Sequence, residues 1–199
     1  MNLYYRLGFN LYVNVTNLCP CDCVFCIRGH SAGVGTAKSL WLEREPTSDE
    51  LKEAFDQVIK PGGEPINEIV FCGFGEPLER AEVVCELAKY IKSKCNRPIR
   101  LNTNGLVQLI NPGFDLKHLS VFDMVSVSLN AESAEEYLRV TRPRFGIESF
   151  EAMLSFARDV KSYSKVQFTI VETLHEESQK KCRNIADKMG IPLIIRSMM

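Results

Sequence analysis

Three cysteines stand at a spacing that suits metal chemistry. Cys19, Cys23 and Cys26 lie in the stretch Asn14-Val-Thr-Asn-Leu-Cys19-Pro-Cys-Asp-Cys23-Val-Phe25-Cys26, directly after an apolar, β-rich run. The pattern is C-x3-C-x2-C with an aromatic residue before the last cysteine. Three thiolates on one short loop can hold three corners of a 4Fe–4S cube and leave the fourth iron without a protein ligand. An iron without a protein ligand is an open, reactive position. Cys21 lies between the ligand cysteines and the pattern does not need it. A zinc-binding interaction module using Cys19, Cys21, Cys23 and Cys26 is the competing reading. Four-cysteine zinc sites usually draw on two separated C-x2-C pairs, and only one short loop is available here. Cys72, Cys85, Cys95 and Cys182 are scattered singly and read as small apolar residues.

A second candidate is the run Phe71-Cys72-Gly73-Phe74-Gly75-Glu76-Pro77. Glycines at the end of a strand let a ligand approach the backbone, because no side chain intervenes. Further on, Asn102-Thr103-Asn104-Gly105 and Ser126-Val-Ser128-Leu-Asn130 each end an apolar run with short polar side chains. At strand ends such groups can bond a ribose or a carboxylate. Turn chemistry is the plainer account, above all for Asn104-Gly105. Thr169, Glu172 and Arg196 end later runs. Two other motifs are set aside. Gly33-Val-Gly35-Thr-Ala37-Lys38-Ser39 has Ala37 where a phosphate loop needs glycine, and no strand leads into it. Thr141-Arg142-Pro-Arg144 is a small basic cluster that reads as a solvated loop.

The elements that must position these residues alternate along the chain. Apolar, β-branched runs occur at Leu11 to Val15, Glu68 to Cys72, Ile99 to Asn102, Met124 to Leu129, Val166 to Val171 and Leu193 to Arg196. Helical patterns lie between most of them. Thr47 with Glu50 forms a capping box ahead of Leu51, Ala54, Phe55, Val58 and Ile59. Pro77 suits a helix start, Ser133 with Glu136 forms a second box, and Ser149 opens a further helix. The last helix, from about Glu176, stops at Gly190. Such alternation predicts an α/β fold with a parallel sheet, a partial (β/α)6 TIM-like barrel in one domain, with chemistry at the C-terminal strand ends. The cysteine loop follows the first strand at that end.

Length and composition are consistent with this. The chain has 199 residues, enough for one sizeable core, and a net charge of −1 argues against a broad nucleic-acid-binding field. No apolar run reaches the ~20 residues of a membrane span, and Met1 to Asn10 lacks a signal-peptide core. A cytoplasmic protein is expected, where clustered cysteines more often bind metal than pair.

Taken together, the cysteine loop, the glycine turn and the six strand positions resemble the radical S-adenosylmethionine (SAM) superfamily over nearly the whole chain, 1–199. The resemblance implies that the backbone of the turn, at Gly73, Gly75 and Glu76, receives the methionine amino group of SAM. Phe74 stands where the superfamily's G-G-E-P turn usually has its first glycine. The resemblance also places Asn102, Ser128 and Asn130 near the SAM ribose and carboxylate, and Phe25 near the adenine. It implies a 4Fe–4S cluster that reductively cleaves SAM to a 5′-deoxyadenosyl radical, which abstracts hydrogen from a substrate. That substrate is a small molecule, a protein or an RNA, and the electron donor is a protein such as flavodoxin or ferredoxin. More narrowly, Cys26-Ile-Arg28, Ser39-Leu-Trp41-Leu-Glu-Arg-Glu45-Pro46-Thr and the Phe71 to Pro77 turn resemble the TatD-associated radical SAM proteins, which implies a functional link to a TatD-type hydrolase. Activating enzymes of glycyl-radical proteins and small deazapurine-forming enzymes are the alternatives within the superfamily.

Overall fold

A computed structural model of the protein describes residues 1–60 and 62–197. Seven strands form a single sheet in the order β1 to β7: Tyr4–Leu7, Asn10–Val13, Glu68–Phe71, Ile99–Thr103, Met124–Ser128, Lys165–Val171 and Leu193–Arg196. Each neighbouring pair is consecutive in sequence. The six strands β2 to β7 are parallel, so the sheet winds one way as a barrel does and does not reverse. It stays open, with β1 and β7 at its two edges. The expected partial (β/α)6 barrel in a single-domain α/β fold is what the chain forms. One strand is an addition. β1 pairs antiparallel with β2 through the two-residue turn Gly8–Phe9, in which Gly8 takes φ 57°. Only a residue without a Cβ enters that region cheaply, which is why the chain can reverse here in two residues.

The helices are α1 (Ser48–Val58), α2 (Ala81–Lys94), the short α3 (Val107–Ile110), α4 (Ala134–Thr141), α5 (Ser149–Val160) and α6 (Glu176–Met189). The Thr47 capping box forms in both directions, Glu50 N donating to Thr47 Oγ1 at 3.2 Å and Thr47 N to Glu50 Oε2 at 2.8 Å. The Ser133 box is only half made. Ser133 Oγ accepts from Glu136 N, but the Glu136 carboxylate is taken by Arg139. Pro77 opens a 3-10 turn, Pro77–Arg80, rather than α2 itself. Ser149 begins α5 without capping it, its hydroxyl buried and without a partner among the described residues. Gly190 ends α6 in the left-handed region at φ 59°.

Alternation along the strands separates two environments. Leu11, Val13, Ile69, Phe71, Leu101, Val125, Val127 and Phe168 face the helices and are almost wholly buried. Burying each of them contributes roughly 1.5–3 kcal/mol. The alternate positions include Tyr12, Arg100, Asn102 and Ser128, which line the lumen together with apolar groups such as Leu7, Phe74 and Val171. No helix among the described residues is long and apolar enough to cross a membrane.

Candidate functional site

The cysteine loop leaves β2 and is held on two sides by backbone. On one side it pairs with the glycine turn, Gly75 N donating to Thr16 O at 3.0 Å and Glu76 N to Leu18 O at 2.8 Å. On the other it joins the end of α4. Asp22 N donates to Thr141 O, Val24 N to Val140 O, and Arg144 N to Pro20 O, all within 3.0 Å. Arg28 braces it from within, donating to the carbonyls of Asn17 and Cys21. Cys19, Cys23 and Cys26 are each half-buried on this frame. The Cys19 thiol is lowered to about 7, chiefly by the hydrogen bond from Cys21, with the Arg28 charge adding to it. Cys21 is buried, its thiol lies within hydrogen-bonding reach of both Cys19 and Cys23, and those neighbours together with burial push its own pKa well up.

The three cysteines open into a lumen cavity of about 540 Å³. Its lining includes Phe25, Gly73, Gly75, Glu76, Asn102, Ser128, Asn130 and Arg196, but not Thr169 or Glu172. The glycines have a packing reason as well. A Cβ on Gly73 would stand 2.0 Å from Asn14 Oδ1, and one on Gly75 would stand 2.4 Å from Thr16 O and 2.6 Å from Leu18 O. The turn is therefore glycine-rich because the cysteine loop packs against it. Glu76 reaches across to β4. Its carboxylate accepts from Thr103 Oγ1 at 2.7 Å, Asn104 N at 2.7 Å and Leu78 N at 3.1 Å. Despite these donors, burial pushes its pKa up to about 7. Asn102 Oδ1 accepts from Arg100. Asn130 is buried at φ 52°, and its Oδ1 has no partner among the described residues. A non-glycine residue held in the left-handed region beside a cavity is strain stored at a site.

Of the charge in the lumen, the sequence singled out Arg196 at the end of its run but not Arg100. Arg100 and Arg196 both line it, together with Cys72 and Tyr12. Alternation alone carries the signal, since Arg100 and Arg196 stand at inward positions of their strands. Of the motifs set aside, the Gly33 to Ser39 segment is followed by no helix. Instead it packs on the β1 hairpin through Thr36 N to Arg6 O and through buried Ala37. Arg142 and Arg144 are exposed and reach Asp22 at 3.8 Å and Glu79 at 3.5 Å.

Among the described residues, no three His, Cys, Asp or Glu side chains converge on a point that could hold one metal ion. A cubane gives each thiolate a different iron. The donor set, three half-buried thiols on a braced loop facing a cavity of mixed polar and apolar lining with an orphaned acceptor, fits a cluster and a cofactor with both polar and apolar parts.

Residues 13–188 match the Radical SAM superfamily, and the chain belongs to it. It is an enzyme superfamily, and SAM and a 4Fe–4S cluster are its shared cofactors. Among solved structures, TYW1 with a lysine-pyruvate adduct bound is similar at TM-score 0.65 and 15% identity, over 96% of this chain and 65% of that one. Native anSMEcpe with bound AdoMet is similar at 0.63 and 20%, over 94% of this chain and 50% of that one. An archaeal TYW1 is similar at 0.56 and 14%, over 98% and 68%. At these identities the likeness is one of fold, and the chain spans between half and two-thirds of the first two. No curated protein matches it. None of these comparisons singles out the TatD-associated group.

Proposed function

We propose that residues 1–199 are a radical SAM core in which Cys19, Cys23 and Cys26 hold three irons of a 4Fe–4S cluster and the lumen holds SAM. The observation that carries this is convergence. Three thiols from one loop, the Gly73 to Glu76 turn and three strand-end polar groups open into the same cavity. When bound, the cluster and SAM supply one-electron cleavage of the sulfonium, which starts hydrogen abstraction from a substrate. The chain's own residues position and exclude. Arg28 and the backbone bonds to Thr141 and Val140 hold the thiols in place. The turn at Gly73, Gly75 and Glu76 offers backbone to the methionine amino group. Asn102, Ser128 and Asn130 receive the ribose hydroxyls and carboxylate at the strand ends, Asn130 Oδ1 accepting from a hydroxyl, and Phe25 covers the adenine. The electron comes from a flavodoxin-like or ferredoxin-like donor. The narrower TatD-associated reading, with its link to a TatD-type hydrolase, rests on the sequence runs beginning at Cys26, Ser39 and Phe71.

Anaerobic reconstitution with reductant and SAM tests the reading. Single Cys19→Ala, Cys23→Ala and Cys26→Ala variants should each lose most of their iron and sulfide, whereas Cys21→Ala should load as the parent does. The parent should form 5′-deoxyadenosine slowly without substrate, and the triple variant at Cys19, Cys23 and Cys26 should form none above a reductant-only blank. Full loading of a Cys23 variant, or a loaded parent that forms no product even with cell extract, would overturn the assignment.

A further inference from the structure

One thiol in the lumen wall takes no part in the cysteine loop. Cys72 directly follows β3. Because Phe71 before it faces the helices, Cys72 faces the cavity, which it lines. Its backbone is pinned on both sides. Its N–H donates to Val13 O at 3.1 Å, and its carbonyl accepts from the Tyr5 hydroxyl at 3.0 Å. Burial raises its pKa and outweighs the opposing pull of Arg196 and Arg100, so the side chain stays a protonated S–H. In the same wall are Tyr12 and Tyr5, their rings stacked at 5.1 Å and 27°. An S–H or a phenolic O–H bond is weaker than an aliphatic C–H bond, so these groups can give hydrogen to a carbon radical. Cys21, the other lumen thiol outside the ligand pattern, is engaged by Cys19 and Cys23. Asn130 is an independent sign that the space is built around a ligand. It is only 5% exposed, lines the same cavity, and leaves Oδ1 unpartnered among the described residues.

We infer that Cys72 is the hydrogen donor that quenches the substrate radical, so that the substrate leaves with as many hydrogens as it brought. This rests on the SAM reading, which supplies the abstraction. Abstraction breaks a substrate C–H bond and leaves a carbon radical. The Cys72 S–H bond then breaks, its hydrogen atom forms a new C–H bond, and the unpaired electron moves to sulfur. One electron from the proposed flavodoxin-like or ferredoxin-like donor and one proton from water restore the thiol. The reaction is thereby redox-neutral for the substrate. A hydrogen is taken from one position or face, and a solvent-derived hydrogen is returned at another.

The test needs no substrate. Reconstituted protein is reduced with dithionite in deuterium oxide, without added thiols, and the slowly formed 5′-deoxyadenosine is analysed by mass spectrometry. With the substrate absent, the S–D of Cys72 is the weak bond at hand, and most of the parent's product should carry a single deuterium. In Cys72→Ser and Cys72→Ala that fraction should fall to near background, because a serine O–D bond is stronger than a C–H bond and alanine has no exchangeable side-chain hydrogen. The fraction is read on product already formed, so weaker loading or a slower rate does not imitate its loss. Cys21→Ala and Tyr12→Phe should keep the parent's label. Label that survives both Cys72 variants, or that disappears in Cys21→Ala or Tyr12→Phe, would overturn the inference. A second measurement does not depend on turnover: anaerobic labelling with methyl methanethiosulfonate, mapped by peptide mass spectrometry. Cys72 should react faster than Cys85, which is buried outside the lumen, and SAM should slow it. Labelling no faster than that of Cys85, or indifferent to SAM, would also overturn it. Loaded, reduced protein that forms no 5′-deoxyadenosine registers separately, as failure of the SAM reading, and removes this inference with it.

Discussion

Among individual residues, those that match a fixed coordination pattern are the most visible in the sequence. Cys19, Cys23 and Cys26 are legible because metal chemistry restricts both residue type and spacing. Asn130 and Arg196 are legible as strand-end positions but not in their state, since an unpaired guanidinium Nε or a φ of 52° appears only once neighbouring strands are in place. Glu76 lies between these cases, its position readable and its partners not. Its pH dependence is a consequence of those partners and of burial. The folded protein raises this carboxyl from the usual 4.5 to about 7, so it holds the proton more tightly than the unfolded chain does. The stabilisation is complete below about pH 4.5 and is lost as pH rises through 7, on the order of 3 kcal/mol in all. Urea midpoints of the parent should therefore fall relative to those of Glu76→Gln between pH 5 and pH 8. A constant difference across that range would show that the buried carboxyl does not titrate there.

At the level of elements, strands with long apolar alternation and helices with reciprocal caps were readable, and the first strand was not. Tyr4–Leu7 is four residues long, carries Arg6, and is fixed as a strand only by pairing with β2. The glycine turn was readable as a site but not as a packing joint. Its glycines admit Asn14, Thr16 and Leu18 from the segment that leads into the cysteines. Gly75→Ala should therefore act on the neighbouring loop as well as on any ligand. Relieving a 2.4 Å approach to Thr16 O means moving backbone, which typically costs about 1–3 kcal/mol. The variant should have a lower melting temperature and less iron after reconstitution, and iron loading equal to the parent's would show that the joint gives way freely.

For the molecule as a whole, the sheet buries one face thoroughly against the helices and leaves the other lining a cavity, so stability is concentrated on the helix side. β7 is the weak margin. It lies at an open edge, with Ile194 45% and Ile195 41% exposed, while Ile69, Leu101 and Val125 on central strands are fully buried. Amide hydrogen exchange should place β3 to β5 in the slowest class, with β7 exchanging about 100-fold faster or more through local opening. Equal protection across the sheet would mean that something covers the β7 edge in solution.

The two-sided anchoring of the cysteine loop has a consequence for synthesis. One set of its anchors, at Val140, Thr141 and Arg144, lies more than a hundred residues downstream of the thiols it fixes. At roughly 5–20 residues per second, the ribosome supplies those anchors ~10 s after the cysteines emerge. For that interval a nascent chain carries four closely spaced, unbraced thiols open to oxidation or to the wrong metal. The frame around the thiols is thereby completed only after residue 144 has been made.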